Sequence, residues 1–233
     1  MIKYSLIVLT LCFAVVAHSA GQEKPVPAAG AATKFDKALQ AELLAILSED
    51  QQDRVKIDAL ETKGRGGNSP EMQALLKTMH ERDLVNRVKI RAILDTCGWV
   101  GPEIVGPEAS STLFLVIQHA DTATQQKYLP LMRVAVREKK AQPSHLALLE
   151  DRVALAEGRR QIYGSQLWGD SKDGHLYVPL LEDPDHVDER RAAVGLGTMA
   201  EYLKRWNLTW DVEAYKKQLP SLETDKSIRI QYN

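Results

Sequence analysis

Leu113 to Ile117 reads Leu-Phe-Leu-Val-Ile, apolar on every face that a helix would present. A helix greasy all round is a buried one. The run stops at Gln118-His119-Ala120-Asp121, so three hydrogen-bonding side chains fall at an interior helix end. Burial without a partner costs about 1 to 3 kcal/mol per group. This place therefore needs structural partners or a ligand, and it is the first candidate for a site.

Helical periodicity precedes it. Phe35, Leu39, Leu43, Ile46 and Leu47 share one stripe, which continues through Asp50, Asp53, Ile57 and Leu60, so two aspartates stand where apolar residues are expected. After the loop Gly64 to Asn68, Ser69-Pro70 joins a cap residue to a first-position proline and starts a second long helix. Its seam, Met72, Leu76, Met79, Asp83, Asn86, Ile90, Ile93 and Cys97, is interrupted in the same way. The interruptions lie in related octets, Asp50 to Ile57 and Asp83 to Ile90, identical at five of eight positions. A duplicated helix and two helices of similar composition both account for this. Asp50 with Arg54 and Asp83 with Arg87 are expected to be solvated pairs at helical spacing.

Gly98-Trp99 ends the long helix and Gly106-Pro107 opens the buried one. Thr122 and Gln125 form a capping-box pattern for a helix to about Lys140, which Pro130 is expected to kink or divide. A further helix runs from Pro143 to about Glu157, with Gly158 as its stop. Residues 161–181 read as two short strands around an Asp173-Gly174 turn. Asp183-Pro184 begins a short helix over Val187 to Val194, and Thr198 with Glu201 caps the next. The expected class is mainly α, a single-domain helical array over residues 34–219 with one small β-hairpin, followed by a loose polar tail over 220–233.

The first twenty residues read as a signal peptide: a basic start at Lys3, an apolar stretch from Leu6 to Ala17, and small residues at the cleavage spacing. Residues 21–33, rich in Ala, Pro and Gly, read as a flexible tether. Cleavage removes Cys12 and leaves Cys97 alone. No internal disulfide is then available, and the fold must rest on its core. The 30 basic and 31 acidic residues become 29 and 31 without Lys3, a net of −2, which argues against a nucleic-acid partner because phosphate neutralisation needs a basic surplus. No later segment approaches the roughly 18 apolar residues needed to span a bilayer.

Six motifs then occur in order: Gly98-Trp99, Gln118-His119-Ala120-Asp121, Leu129-Pro130-Leu131, Leu149 to Val153, Gln161 to Gln166, and Val187 to Leu196. In these the chain resembles a family of bacterial proteins catalogued only as a domain of unknown function, over about the central half of its length. Ser165 stands where that family often carries threonine, and the loop at Gly64 to Asn68 looks like an insertion. The resemblance implies a bacterial source and, with the leader, a periplasmic or secreted location.

The candidate catalytic residues are His119, Asp121 and Asp151, with His119 as general base or acid and one of the aspartates orienting it. Gln118, Arg152, Gln161, Tyr163, Gln166, Asp188, Arg190 and Arg191, all within the shared motifs, are the candidate binding residues, with Arg152 as an anion anchor. The bland alternatives are Asp121 as a helix N-cap, His119 as a satisfied core histidine, and Asp151 and Arg152 in a structural ion pair with another helix. No ligand spacing for a metal, no phosphate loop and no nucleophile elbow is present, so neither metal nor cofactor is expected. These residues suit a metal-independent hydrolase of a small polar or anionic envelope substrate, or a non-catalytic module that binds a small polar ligand or a cell-envelope partner.

Overall fold

The computed structural model describes residues 34–62, 69–169 and 176–224. The expected signal peptide, the tether, the loop Gly64 to Asn68, the turn Asp173-Gly174 and residues 225–233 lie outside them. Among the described residues the fold is mainly α, with nine α-helices and one two-stranded antiparallel hairpin.

Helices α1 (Lys37–Thr62) and α2 (Pro70–Cys97) form a long antiparallel pair, and α2 starts on Ser69, whose side chain accepts the Met72 N–H. After the single turn α3 (Pro102–Val105) comes the apolar helix α4 (Pro107–His119). It packs against both long helices, and Leu113, Phe114, Leu115, Val116 and Ile117 are all buried, as a helix without a polar face must be. Helix α5 (Thr122–Arg137) pairs with α6 (Pro143–Ala156) and closes the main core around Phe114, Met132 and Leu149.

Two details of α5 decide between readings that the sequence left open. Its N-cap is Asp121, which accepts the Thr124 N–H, while the Gln125 amide turns back to the carbonyls of Gln118 and Ala120. Asp is the stronger cap, so the helix starts one residue earlier in phase than a Thr122 capping box requires. Pro130 leaves the helix continuous, because Tyr128, Leu129 and Met132 are buried on its packed face and that burial outweighs the lost backbone bond.

The remaining third is irregular. Strands β1 (Trp168–Gly169) and β2 (Leu176–Tyr177) are two residues each, and Gln161 bridges Leu181 beyond them. A 3₁₀ turn at Pro184–His186 leads into α7 (Val187–Ala193), followed by α8 (Met199–Lys204) under a complete Thr198/Glu201 capping box, and α9 (Val212–Thr224). Residues 221–224, read from sequence as loose, are thus helical. Leu181, Val187, Met199, Leu203 and Tyr215 form a second core here, joined to α6 by Leu155 against Trp168.

Candidate functional site

The polar residues that interrupt the helical seams meet where α1, α2 and α4 cross. His119 ends α4 with its Nδ1 3.1 Å from Asp50 Oδ1. Arg54, one turn along α1, lies 3.4 Å from the same oxygen and donates to the Asp50 carbonyl at 2.6 Å. Its guanidinium also grips Asp83 of α2 with two parallel bonds of 3.0 and 2.8 Å. Asp50 is 1 % exposed and Arg54 3 %. The solvated pairing expected for these charges is therefore overturned. The third helix, which no local spacing encodes, covers them. Asp53 is buried as well and pairs with Arg82.

The octet likeness sharpens this arrangement. Arg54 of the first octet bonds Asp83 of the second, so a symmetric pair would bring Arg87 to Asp50. Instead Arg87 reaches Asp121, and His119 takes the place beside Asp50. A titratable ring stands where a permanent cation would complete the symmetry.

Electrostatics then fix its state. Burial, the largest influence, lowers the His119 pKa and outweighs the Asp50 carboxylate that supports the charged form. For Asp50 burial acts upward, but the His119 hydrogen bond, the charges of His119 and Arg54, and Gln51 together hold the carboxyl below its usual range. Near neutral pH the pair is an ionised aspartate and a neutral imidazole. An ionised carboxylate only accepts, so Nδ1 carries the proton and Nε2 is left as a basic lone pair. The His119 side chain keeps 13 % exposure.

The same three helices carry buried polar atoms that meet no hydrogen-bond partner: both amide atoms of Asn86, both amide atoms of Gln118, and Arg54 Nε. Gln118 adjoins His119 and Asn86 lies one turn from Asp83. Each such atom carries a desolvation cost unless water or a ligand meets it.

Asp151 belongs to a different construction. Its carboxylate, on α6, accepts the backbone N–H groups of Ile162, Tyr163 and Ser165 at 2.6 to 3.2 Å. Gln161 accepts the Gln166 N–H and donates to the carbonyls of Gln166 and Pro179, and the Gln166 amide donates to the Leu148 carbonyl and Ser165 Oγ. Arg190 donates to the carbonyls of Ile162, Glu182 and Asp183, Arg191 to those of Tyr163 and Gly197, and Asp188 accepts the Met199 N–H. Gly164 must stay bare within this segment: its φ is +63°, and a Cβ would come 2.8 Å from Met199 Sδ. Arg152 is half-buried on α6, where its charge acts on the Tyr202 hydroxyl.

The candidates thus separate. Gln118 and His119 join Asp50, Arg54 and Asp83. Asp121 caps α5 and holds Arg87. Asp151, Gln161, Tyr163, Gln166, Asp188, Arg190 and Arg191 gather around residues 161–166 through bonds to backbone. Asp50, Arg54, Asp83 and Asn86 were absent from the expected site, although the interruption of the seams by Asp50, Asp83 and Asn86 was the available signal. Among the described residues no three His, Cys, Asp or Glu side chains are grouped as a metal site.

No curated protein and no solved structure matches this chain. A family model matches residues 37–215, which spans α1 through the first turn of α9 and so includes both polar clusters. The chain belongs to that family, a family of unknown function (DUF6624).

Proposed function

We propose that the chain is a metal-independent hydrolase of a small polar or anionic substrate, with His119 as general base and Asp50 orienting it in the role that sequence offered to Asp121 or Asp151. The observation that carries this reading is the 3.1 Å contact of His119 Nδ1 with a buried carboxylate. It leaves Nε2 free to take a proton from water, and the imidazolium formed then returns that proton to the leaving group. A depressed His119 pKa keeps the base unprotonated near neutral pH. The apolar leader supports a periplasmic or secreted location, and hence an envelope substrate.

A second reading rests on the unpartnered amides of Asn86 and Gln118: the same crossing recognises a small polar ligand, or a cell-envelope partner, without chemistry. A panel of p-nitrophenyl acetate, phosphate and glycoside probes separates the two. The hydrolase reading expects turnover that His119→Gln lowers by about 100-fold or more, the scale of general-base assistance, while the melting temperature stays close to that of the parent. Turnover equal in both proteins, or none above buffer in either, overturns it.

A further inference from the structure

The six large apolar side chains exposed among the described residues are unevenly spread. Phe35, Val55 and Val134 stand singly, whereas Leu84, Val85 and Val88 fall within five residues of α2 and are 40 %, 53 % and 67 % exposed. Single apolar residues on a surface need no explanation, but a group on one helix face does. The packing of α2 on α1 and α4 uses the other face. Met79, Asn86, Ile90 and Ile93 are buried there, and at 3.6 residues per turn Leu84 and Val88 lie nearly opposite them.

Charged residues continue the pattern on both sides. Lys77, Glu81, Leu84, Val88, Arg91 and Asp95 are spaced alternately by four and three residues, the spacing of a seam between two helices. A straight helix drifts only about 20° per seven residues against that spacing, so the six share one face. Along the helix the seam runs basic, acidic, apolar, apolar, basic, acidic. Turned end to end about a two-fold axis at the level of residue 86, it meets itself with Lys77 against Asp95, Glu81 against Arg91 and Leu84 against Val88. A parallel pairing sets each charge against its own copy instead. Within one chain Lys77 and Glu81 lie 4.0 Å apart, with side chains 79 % and 63 % exposed, and Arg91 is exposed as well. Asp95 is already bound by Lys127 and by the Tyr128 hydroxyl, so the outermost pair adds least.

We propose that the outer face of α2 binds the same face of a second copy of this chain, antiparallel, in a two-fold symmetric dimer. Two-fold pairing is the commonest form of self-association, and it requires a patch that is complementary to itself. The seam meets that requirement. Its apolar centre supplies the attraction, and the flanking charges fix direction and register. From Lys77 to Asp95 it is about 27 Å long at 1.5 Å per residue. That is short for a permanent interface, so the dimer is a weak one with a Kd of the order of 100 µM. The dimer shares no residue with the His119 crossing and is independent of the hydrolase reading.

Sedimentation equilibrium of the full chain, from about 5 µM to about 1 mM and so on either side of that Kd, is expected to show a reversible monomer–dimer equilibrium. Val88→Glu places a charge in the apolar centre of the dimer but none in the core of the monomer. It is expected to weaken association at least about tenfold, the scale of one lost apolar contact, at the melting temperature of the parent. Glu81→Lys and Arg91→Glu each oppose like charges at two symmetric places and are expected to weaken it about fivefold. The double variant Glu81→Lys/Arg91→Glu sets opposite charges face to face again and is expected to recover the affinity of the parent. A parent that stays monomeric over the whole range, association that Val88→Glu leaves intact, or a double variant weaker than both single ones overturns the proposal.

Discussion

At the crossing of α1, α2 and α4, charged side chains bond one another: His119 to Asp50, Arg54 to Asp50 and Asp83. Around residues 161–166 charged side chains of the same kinds bond backbone instead, with Asp151 accepting three N–H groups and Arg190 and Arg191 together donating to five carbonyls. The second pattern answers a need of the chain. A segment without helix or sheet must still satisfy its buried backbone, and these side chains do so. The first answers no such need, since helices satisfy their own backbone, and it leaves amide atoms of Asn86 and Gln118 unmet. Polar residues that hold up irregular backbone read as scaffold. Those that pair among themselves inside regular helices are where chemistry is to be sought.

The largest expected effect tests the scaffold half. Asp151→Ala strips three backbone donors of their acceptor in a buried place and is expected to cost about 3 to 5 kcal/mol, read as a large drop in denaturation midpoint at unchanged slope. A cost under about 1 kcal/mol, the scale of a surface contact, would show the segment to be held by something else and would dissolve the contrast.

Buried histidines and the buried Asp151 are also expected to answer pH with opposite sign, and His145, at the start of α6 and outside both regions, makes the largest such contribution. His145 and His119 both have folded pKa values below 6.5. The unfolded chain takes up their protons first, so their contribution is complete above pH 6.5 and is lost as pH falls below it. For His145, from 6.5 to about 4, this amounts to about 3 kcal/mol. Asp151 runs the other way: burial raises its carboxyl above 3.8 against the three N–H groups, so its share is present in acid and fades as pH rises. Urea unfolding at a series of pH values should show a net loss between pH 7 and pH 4, flattened in His145→Gln. An unchanged slope in that variant would remove His145 as its source.

The smallest effect sits between the clusters. Asp121 caps α5 and meets Arg87 at a half-exposed position. Asp121→Ala is expected to lose about 1 kcal/mol, the usual value of an N-cap, with the turnover of the parent retained if Asp50 orients His119. A collapse of activity at intact stability would return the orienting role to Asp121.

Much of the helical frame was legible because its signals are local. Ser69-Pro70, Gly106-Pro107, Pro143 and the Thr198/Glu201 box each act within a turn or two, and all mark observed helix starts. The five-residue apolar run at Leu113 gave the buried helix for the same reason: no polar face means no exposed face. Local signals left a choice where two competed, as at the start of α5, where both Thr122 and Asp121 were available and Asp121 holds the cap, and at Pro130, where the helix runs on undivided.

The candidate site divides along the same line. Composition and periodicity determined that His119 closes a buried helix and that Asp50, Asp53, Asp83 and Asn86 break apolar seams, because both statements follow from spacing along one helix. Which carboxylate meets the histidine is a contact across 69 positions, and spacing along a helix carries no information about what a third helix will cover. Only the packing of α4 onto α1 and α2 buried Asp50 and Arg54, turned an ordinary i,i+4 pair into a low-dielectric network, and gave His119 its partner. Likewise, only the path of residues 161–166 across α6 made Asp151 an acceptor for backbone, because a carboxylate bonds whichever donors the fold brings within about 3 Å.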